Sequence, residues 1–422
     1  MTLVLTGNET MKIGRKILFI HKPVYPWYNN ATDIPVISFM EGVTEMTTKI
    51  VDVSDIEKQE ELTSRLREPA ESLSRGGLVA FPTETVYGLG ADALNETAAA
   101  RIYAAKGRPS DNPLIVHISK VEDLETLAYV NEQARILAEA FWPGPLTIIL
   151  PKKEIVPYAT TGGLDTVAVR MPSHPAALEL IRQSGVYVAA PSANTSGRPS
   201  PTKAEHVIED MTGKIEYIVD GGPVGIGIES TIVDVSGKQP VILRPGFITK
   251  TMLEQMIGPV TIDPALEKPM DGLRPKAPGM KYTHYAPKGE LTLVEAVEAG
   301  MHSKMAEPEK ELLAEAEDTA SREKVIRKIC ELTKEKREDG YKVGIMAPAE
   351  TMSCYEGVAD VLVCVGNREK RDTVAAGLYA ALREFDAQGV EYIYAESFRG
   401  EGLSYAIMNR LLKAAGQRVI RI

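Results

Sequence analysis

Apolar positions along the chain come in short blocks. From residue 55, Leu62, Leu66 and Leu73 recur at helical spacing, and Arg75-Gly76-Gly77 closes that stretch. Pro69 inside it argues against one unbroken helix. The run LVAFPTETVYGLG (78–90) reads as a strand leaving into a Gly-rich loop. Ala98, Ile102 and Ala105 share a helical face over 96–106, and LIVHI (114–118) reads as a buried strand. A helix over 121–141 and a strand over 144–150 follow. Further short strands are predicted at 166–172, 186–194, 217–222, 230–236 and 241–246, with helices at 175–184 and 203–211. Strands outnumber helices, which predicts an α/β domain over 55–249, a mixed sheet with helices packed on it.

Residues 250–287 contain Pro259, Pro264, Pro269, Pro275, Pro278 and Pro287 and read as an extended, Pro-rich linker. Residues 301–340 are half charged with mixed sign, as on a solvated helix face. Strands at 342–348, 359–366 and 391–397 then alternate with helices at 371–388 and 403–415. That rhythm predicts a second, smaller parallel α/β domain over 288–422, doubly wound in the Rossmann manner. Residues 1–54 read as an N-terminal extension and lead-in. The first 45 are expected to be an appendage, or an upstream start assignment before Met46, with loose structure or none, and Tyr25 to Asn30 reads as a turn. The apolar run Ile17–Ile20 is too short for a secretory signal.

The 422 residues carry 48 Lys+Arg against 58 Asp+Glu, a net charge of -10. That balance disfavours a broad nucleic-acid-coating surface and leaves room for a local basic hollow. No run of 18 apolar residues occurs, so no membrane partner is expected. Three cysteines (Cys330, Cys354, Cys364) without a CxxC pair fit a reducing, cytoplasmic setting with no disulfide scaffold and no structural zinc. There is no P-loop, GxGxxG, HExxH or GxSxG, so nucleotide chemistry needs a site of another kind.

Four polar clusters follow apolar strands. Pro82-Thr83-Glu84-Thr85-Val86-Tyr87-Gly88 joins hydroxyls and a carboxylate to glycines that admit a close ligand; a turn with local hydrogen bonds explains it equally well. Lys106-Gly107-Arg108, with Asn112 and His117 downstream, sets a point charge beside a planar fork, suited to phosphate or carboxylate. Basic residues at a helix end and a core histidine are the ordinary alternatives. Ser192-Ala193-Asn194-Thr195-Ser196-Gly197, with Ser200, offers hydroxyls and amides that suit phosphates, although a surface loop looks the same. Gly227-Ile228-Glu229-Ser230-Thr231 precedes Arg244, which, like Arg170, ends an apolar strand and suits either a ligand or a buried ion pair. Together the clusters place cations and hydroxyls at strand ends, where open α/β sheets build their clefts.

FPTETVYGLG, KGRPSDNPLIVHI, WPGPLTIIL, GLDTVAVRMP, AAPSANTSGRPSPT, ESTIVD and LRPG, in this order, resemble the YrdC-domain family. The later APGMKYTHYAP and the second domain resemble its two-domain branch, the L-threonylcarbamoyladenylate synthases. The resemblance spans roughly 55–422 and implies a twisted open sheet with a concave basic cavity, then a linker crossing the active site, then a Rossmann-like domain. It implies a nucleotidyltransferase that joins L-threonine, bicarbonate and ATP into threonylcarbamoyl-AMP and pyrophosphate, with Mg2+ on the ATP phosphates. The product would pass to downstream threonylcarbamoyl-transfer machinery, and so only indirectly to tRNA. Lys106 and Arg108 match its reaction-centre residues. Arg108, Asn112, Thr166, Ser192, Asn194, Ser200, Arg244 and His284 match its ATP side, and Thr85 (or Thr83), His117, Arg170, Ala190 and Ser230 its threonine side. Tyr282, His284 and Tyr285 match the crossing segment. Two other readings stand beside it: an RNA-binding module of this domain type without catalysis, and a carbamoyl transferase of hydrogenase maturation, whose zinc-binding Cys pairs this sequence lacks.

Overall fold

The computed structural model describes residues 46–266, 277, 285–296 and 307–422, together with 11–13 and 16–18. Two compact units result, Met1–Met46 and Thr47–Ile422. In the first, β1 (Met11–Ile13) pairs antiparallel with β2 (Lys16–Leu18), a short ladder where loose structure or none is expected. The turn expected at Tyr25–Asn30 lies outside the described residues.

The second unit opens with β3 (Lys49–Asp52), β4 (Val79–Phe81), β5 (Gly88–Asp92), β6 (Ile115–His117), β7 (Leu146–Pro151) and β8 (Thr166–Arg170). There follow β9 (Val188–Ala189), β10 (Tyr217–Asp220), β11 (Thr231–Asp234), β12 (Val241–Arg244) and β13 (Thr261–Ile262). They form one sheet in the order β13-β12-β11-β7-β8-β6-β9-β5-β4-β10-β3. Pairings are mixed: β6 runs parallel to β8, while β9 runs antiparallel to both β5 and β6. The sheet reaches beyond 55–249 at both ends, because β3 pairs with β10 and β13 with β12. The linker reading of 250–287 therefore fails at its start. Residues 250–257 hold no proline, Thr249 caps Met252 N, and Leu253 is buried, so a helix forms there.

Helix Gln59–Ser74 continues through Pro69 and buries Leu62, Leu66, Ala70 and Leu73. These side chains share a core cluster with Ala177, Leu180 and Ile181 of helix Pro175–Ser184, and that packing outweighs the lost main-chain bond. The helix expected over 121–141 breaks at Ala128–Asn131, where Asn131 caps a new helix, Glu132–Phe141.

The C-terminal part carries a five-stranded parallel sheet, in the order β16-β15-β17-β14-β18. Its strands are β14 (Glu290–Glu295), β15 (Val343–Ala347), β16 (Val361–Cys364), β17 (Tyr392–Glu396) and β18 (Val419–Arg421). The sequence reading lacks β14 and β18; the first is a single six-residue run behind the proline-rich stretch. Helices Glu307–Glu338, Arg371–Ala387 and Leu403–Ala414 join these strands. One core cluster takes Val86 and Ile228 from the first domain together with Leu378, Tyr379, Ala406 and Ile407 from the second, so the two sheets share a packed seam. Among the described residues no helix is long and apolar enough to cross a membrane.

Candidate active site

Strand ends and the loops leaving them enclose a cavity lined by Thr83, Thr85, Arg108, His117, Arg170, Ala190, Ser192, Glu229, Arg244 and Tyr285, with apolar neighbours. Its cationic wall comes from far-apart segments. Gly107 adopts φ +62 at the end of helix Glu96–Lys106, a conformation that suits glycine, and so turns Arg108 inward. Among the described residues the Arg108 guanidinium bonds only main-chain carbonyls: Nη2 to Pro113 O at 3.1 Å, with Nε and Nη2 at 3.4 Å from Asn112 O. Burial, reinforced by Arg244, pulls its pKa down to about 10. Arg244, at the end of β12, donates to Ser230 O (Nε, 3.0 Å) and Ser230 Oγ (Nη2, 3.1 Å). Ser230 Oγ also lies 2.7 Å from Thr147 Oγ1.

Arg170 ends β8. Its Nη1 donates to Thr85 Oγ1 at 3.0 Å, and its Nη2 sits 2.7 Å from Glu84 Oε1. Thr85 Oγ1 lies 2.9 Å from Thr83 Oγ1, so hydroxyls and guanidinium form one chain. His117 is beside them on β6, in register with Arg170. Its Nδ1 donates to Ile115 O at 3.1 Å, a role fixed because a carbonyl only accepts. Burial first, then the Arg170 charge, lowers its pKa to about 3, so the ring is neutral at neutral pH.

Other sequence candidates stand one step behind the wall. Lys106, buried, donates from Nζ to Ser192 O and Asn194 O, both at 2.5 Å. Asn194 accepts from Ser192 Oγ at 2.5 Å and donates to Thr195 O and Arg198 O. Ser200 Oγ donates to Glu229 Oε1 at 2.6 Å, and Asn112 supplies the carbonyl under Arg108. Thr166 is not brought in: it opens β8 opposite Pro151, four residues and roughly 13 Å of strand from Arg170. His284 and Tyr282 lie outside the described residues. Tyr285 is buried at φ +68, its ring 5.1 Å from that of Tyr379.

The sequence reading gives no role to Glu229 or to its partners in the second domain. Tyr379 Oη donates to Glu229 at 2.9 Å and 3.1 Å, and Arg410 Nε at 3.0 Å. Burial alone would raise this carboxyl; Arg410 and Arg244 overcome it and hold the pKa at about 2. Arg410 Nη1 also caps Pro245 O at 2.6 Å. One signal exists in the sequence, an arginine inside the apolar helix pattern of 403–415. Elsewhere, an open groove of about 850 Å³ in the second domain holds Lys334, Arg337 and Lys342; Arg337 there is 3.1 Å from Asp360, so its charge is already matched.

Two family profiles match the chain: one described as "Telomere recombination" over residues 71–246, the other as "Threonylcarbamoyl-AMP synthase, C-terminal domain" over 248–416. A threonylcarbamoyl-AMP synthase of Bacillus subtilis (strain 168) is 48% identical over 383 residues, which is 89% of this chain and the whole of that protein. The chain belongs to the threonylcarbamoyl-AMP synthase family. A member from Pyrococcus abyssi is also 48% identical, over 85% of this chain and 96% of its own length. The crystal structure of P. abyssi Sua5 complexed with L-threonine superposes with a TM-score of 0.77 at 46% identity, covering 89% of this chain and all of that one. The family assignment makes this protein an enzyme, and the mixed sheet followed by a parallel one is the fold expected of it.

Proposed function

We propose that the cavity forms threonylcarbamoyl-AMP from L-threonine, bicarbonate and ATP, releasing pyrophosphate, which makes the protein a nucleotidyltransferase. The observation that carries this reading is the convergence of Arg108, Arg170 and Arg244 with Thr85, Ser192 and His117 in one hollow of an otherwise acidic chain. Such a hollow favours two anionic ligands side by side.

Arg170, Thr85, His117, Ala190 and Ser230 form the threonine half. Arg170 is pre-oriented by Thr85 and Glu84, so its guanidinium meets the threonine carboxylate with little reorganisation. Neutral His117 beside it adds no second charge. The amine adds to carbon dioxide drawn from bicarbonate, giving an N-carboxylate. One oxygen of that carbamate attacks the ATP α-phosphorus, the bond from that phosphorus to the α,β-bridging oxygen breaks, and pyrophosphate carries away the electron pair. Arg108 and Arg244, with Ser192, hold the phosphates while charge builds, with Asn112, Asn194 and Ser200 supporting them from behind.

Mg2+ fits as a companion of ATP, not as a resident of the protein. Among the described residues no group of three metal-ligating side chains occurs, and the cavity carboxylate Glu229 is committed to Arg410, Tyr379 and Ser200. The ion would sit on phosphate oxygens and water. The labile mixed anhydride then suits transfer to a separate enzyme that acts on tRNA. The test is mass spectrometry of the product formed from ATP, bicarbonate and threonine, with pyrophosphate release followed in parallel. Release that does not require threonine overturns the reading.

A further inference from the structure

We propose that Lys106 is a positioning residue: it builds the Ser192–Arg198 loop by holding main-chain atoms and does not touch the reacting groups. The inference rests on the nucleotidyl-transfer reading above, in which Ser192 faces the phosphates.

Lys106 grips the loop at three alternate residues. Its Nζ donates to the carbonyls of Ser192 and Asn194, and its own carbonyl accepts from Ser196 N at 2.9 Å. Helix Glu96–Lys106 ends at this residue, and the turn at Gly107 sends the chain away, so the side chain runs from a rigid element into the loop. Ser192 lines the cavity, while Lys106, only 2% exposed, does not. The other loop bonds obey the same logic. Asn194 ties Ser192 Oγ to the carbonyls of Thr195 and Arg198, and Ala193 N donates to Tyr87 O at 2.8 Å. Loop carbonyls are thereby consumed on the protein side, and the Ser192 hydroxyl is held at the cavity wall.

Burial, and then the neighbouring Arg108 charge, push the Lys106 ammonium well below the ordinary lysine range. A full positive charge is thus disfavoured here. What the loop needs is two N–H donors on a stem long enough to reach both carbonyls, and either protonation state of the amine supplies them. Arg108, two residues on and in the cavity wall, already supplies the fixed charge.

Lys106→Met and Lys106→Gln separate the roles. The glutamine amide keeps two donors, carries no charge, and is one bond shorter. In ligand-free Lys106→Met, amides 192–198 should exchange hydrogen at least tenfold faster than in the parent, and threonine-dependent pyrophosphate release should fall about a hundredfold in kcat. Lys106→Gln should recover at least tenfold of that loss with the parent's pH–rate profile. Unchanged loop exchange in an inactive, folded Lys106→Met, or a folded Lys106→Gln as inactive as the methionine variant, overturns the proposal. If neither variant folds, a crystal structure of the parent with a non-hydrolysable ATP analogue decides. Nζ remaining on Ser192 and Asn194 supports the proposal, and Nζ within hydrogen-bonding distance of a phosphate ends it. Failure of the underlying reading looks different: the parent itself then releases no pyrophosphate on threonine, whatever the loop exchange.

Discussion

In the cavity, Arg108 rests on the carbonyls of Asn112 and Pro113; at the seam between the two domains, Arg410 meets Glu229, and Arg383 meets Asp210 at 2.8 Å. All four of these charged groups at the seam are buried, as is Arg108. The difference lies in compensation. At the seam each guanidinium faces a carboxylate and also caps a carbonyl, Arg410 on Pro245 O and Arg383 on Pro199 O. Removing Arg410 leaves Glu229 buried without its ion-pair partner, while Asp210 keeps Arg198 beside it. In the cavity, Arg108 is solvated by neutral dipoles, so its field stays available to a ligand. Matched charges hold the domains together, and a charge set on carbonyls waits for an anion. The seam also reaches the cavity, because Glu229 and Pro199 belong to loops that carry Ser230 and Ser200.

Breaking the seam should cost most. Arg410→Ala leaves Glu229 buried with Tyr379 and Ser200 as its hydrogen-bond donors, a loss of about 3–5 kcal/mol by the behaviour of broken buried pairs. Denaturant unfolding should show it as a fall in midpoint. A variant as stable as the parent would mean that the seam is not held by this pair.

The cavity charge should behave in the opposite way. Arg108→Ala removes a cation that stabilises charge in the transition state, so turnover should fall about 10²–10³-fold. Its folding stability should stay within about 1 kcal/mol of the parent's, because no carboxylate is stranded. Pyrophosphate release and a melting curve on the same sample test both halves. Activity and stability falling together would erase the distinction between the two kinds of cation.

A ligand sharpens the same contrast. An anion bound only by the folded cavity raises stability by about 2.7 kcal/mol at a hundred times its Kd. Pyrophosphate should therefore raise the melting temperature of the parent and of a seam variant alike, and that of Arg108→Ala much less. An equal rise in all three would place the anion elsewhere.

How much of this was legible beforehand follows from the range of the interactions. The strand-end clusters around Thr85, Arg108, Ser192 and Arg244 show in the sequence because each is local: an apolar strand, then a polar turn. Their meeting in one hollow is not local, and there the family resemblance did the work. Thr166 rests on the resemblance alone, and it opens the strand that Arg170 ends, away from the cavity. Helix 250–257 was hidden by the prolines that follow it, and β14 and β18 by their brevity. The Glu229 hub escaped because Tyr379 and Arg410 lie 150 and 181 residues away, and an arginine inside an apolar helix pattern signals burial without naming its partner.

The smallest expected effect concerns His117, a group on the cavity side that is kept neutral. Its folded pKa is about 3 against an ordinary 6.5, so the unfolded chain takes up the proton first on acidification. The stability it contributes is complete above pH 6.5 and drains away as pH falls from 6.5 toward 3. Glu229, held at about 2 against 4.5, adds a loss of the same sign, complete above pH 4.5 and waning toward pH 2. Between pH 7 and pH 4.5, then, His117 contributes slope while Glu229 contributes little. His117→Gln should flatten the decline of unfolding free energy across that interval by about 1–3 kcal/mol. Urea unfolding of the parent and this variant at pH 7, 6, 5 and 4.5 measures it. A His117→Gln protein that tracks the parent through the whole interval would show that the imidazole protonates in the folded state as readily as in water, and the neutral wall proposed beside Arg170 would be lost.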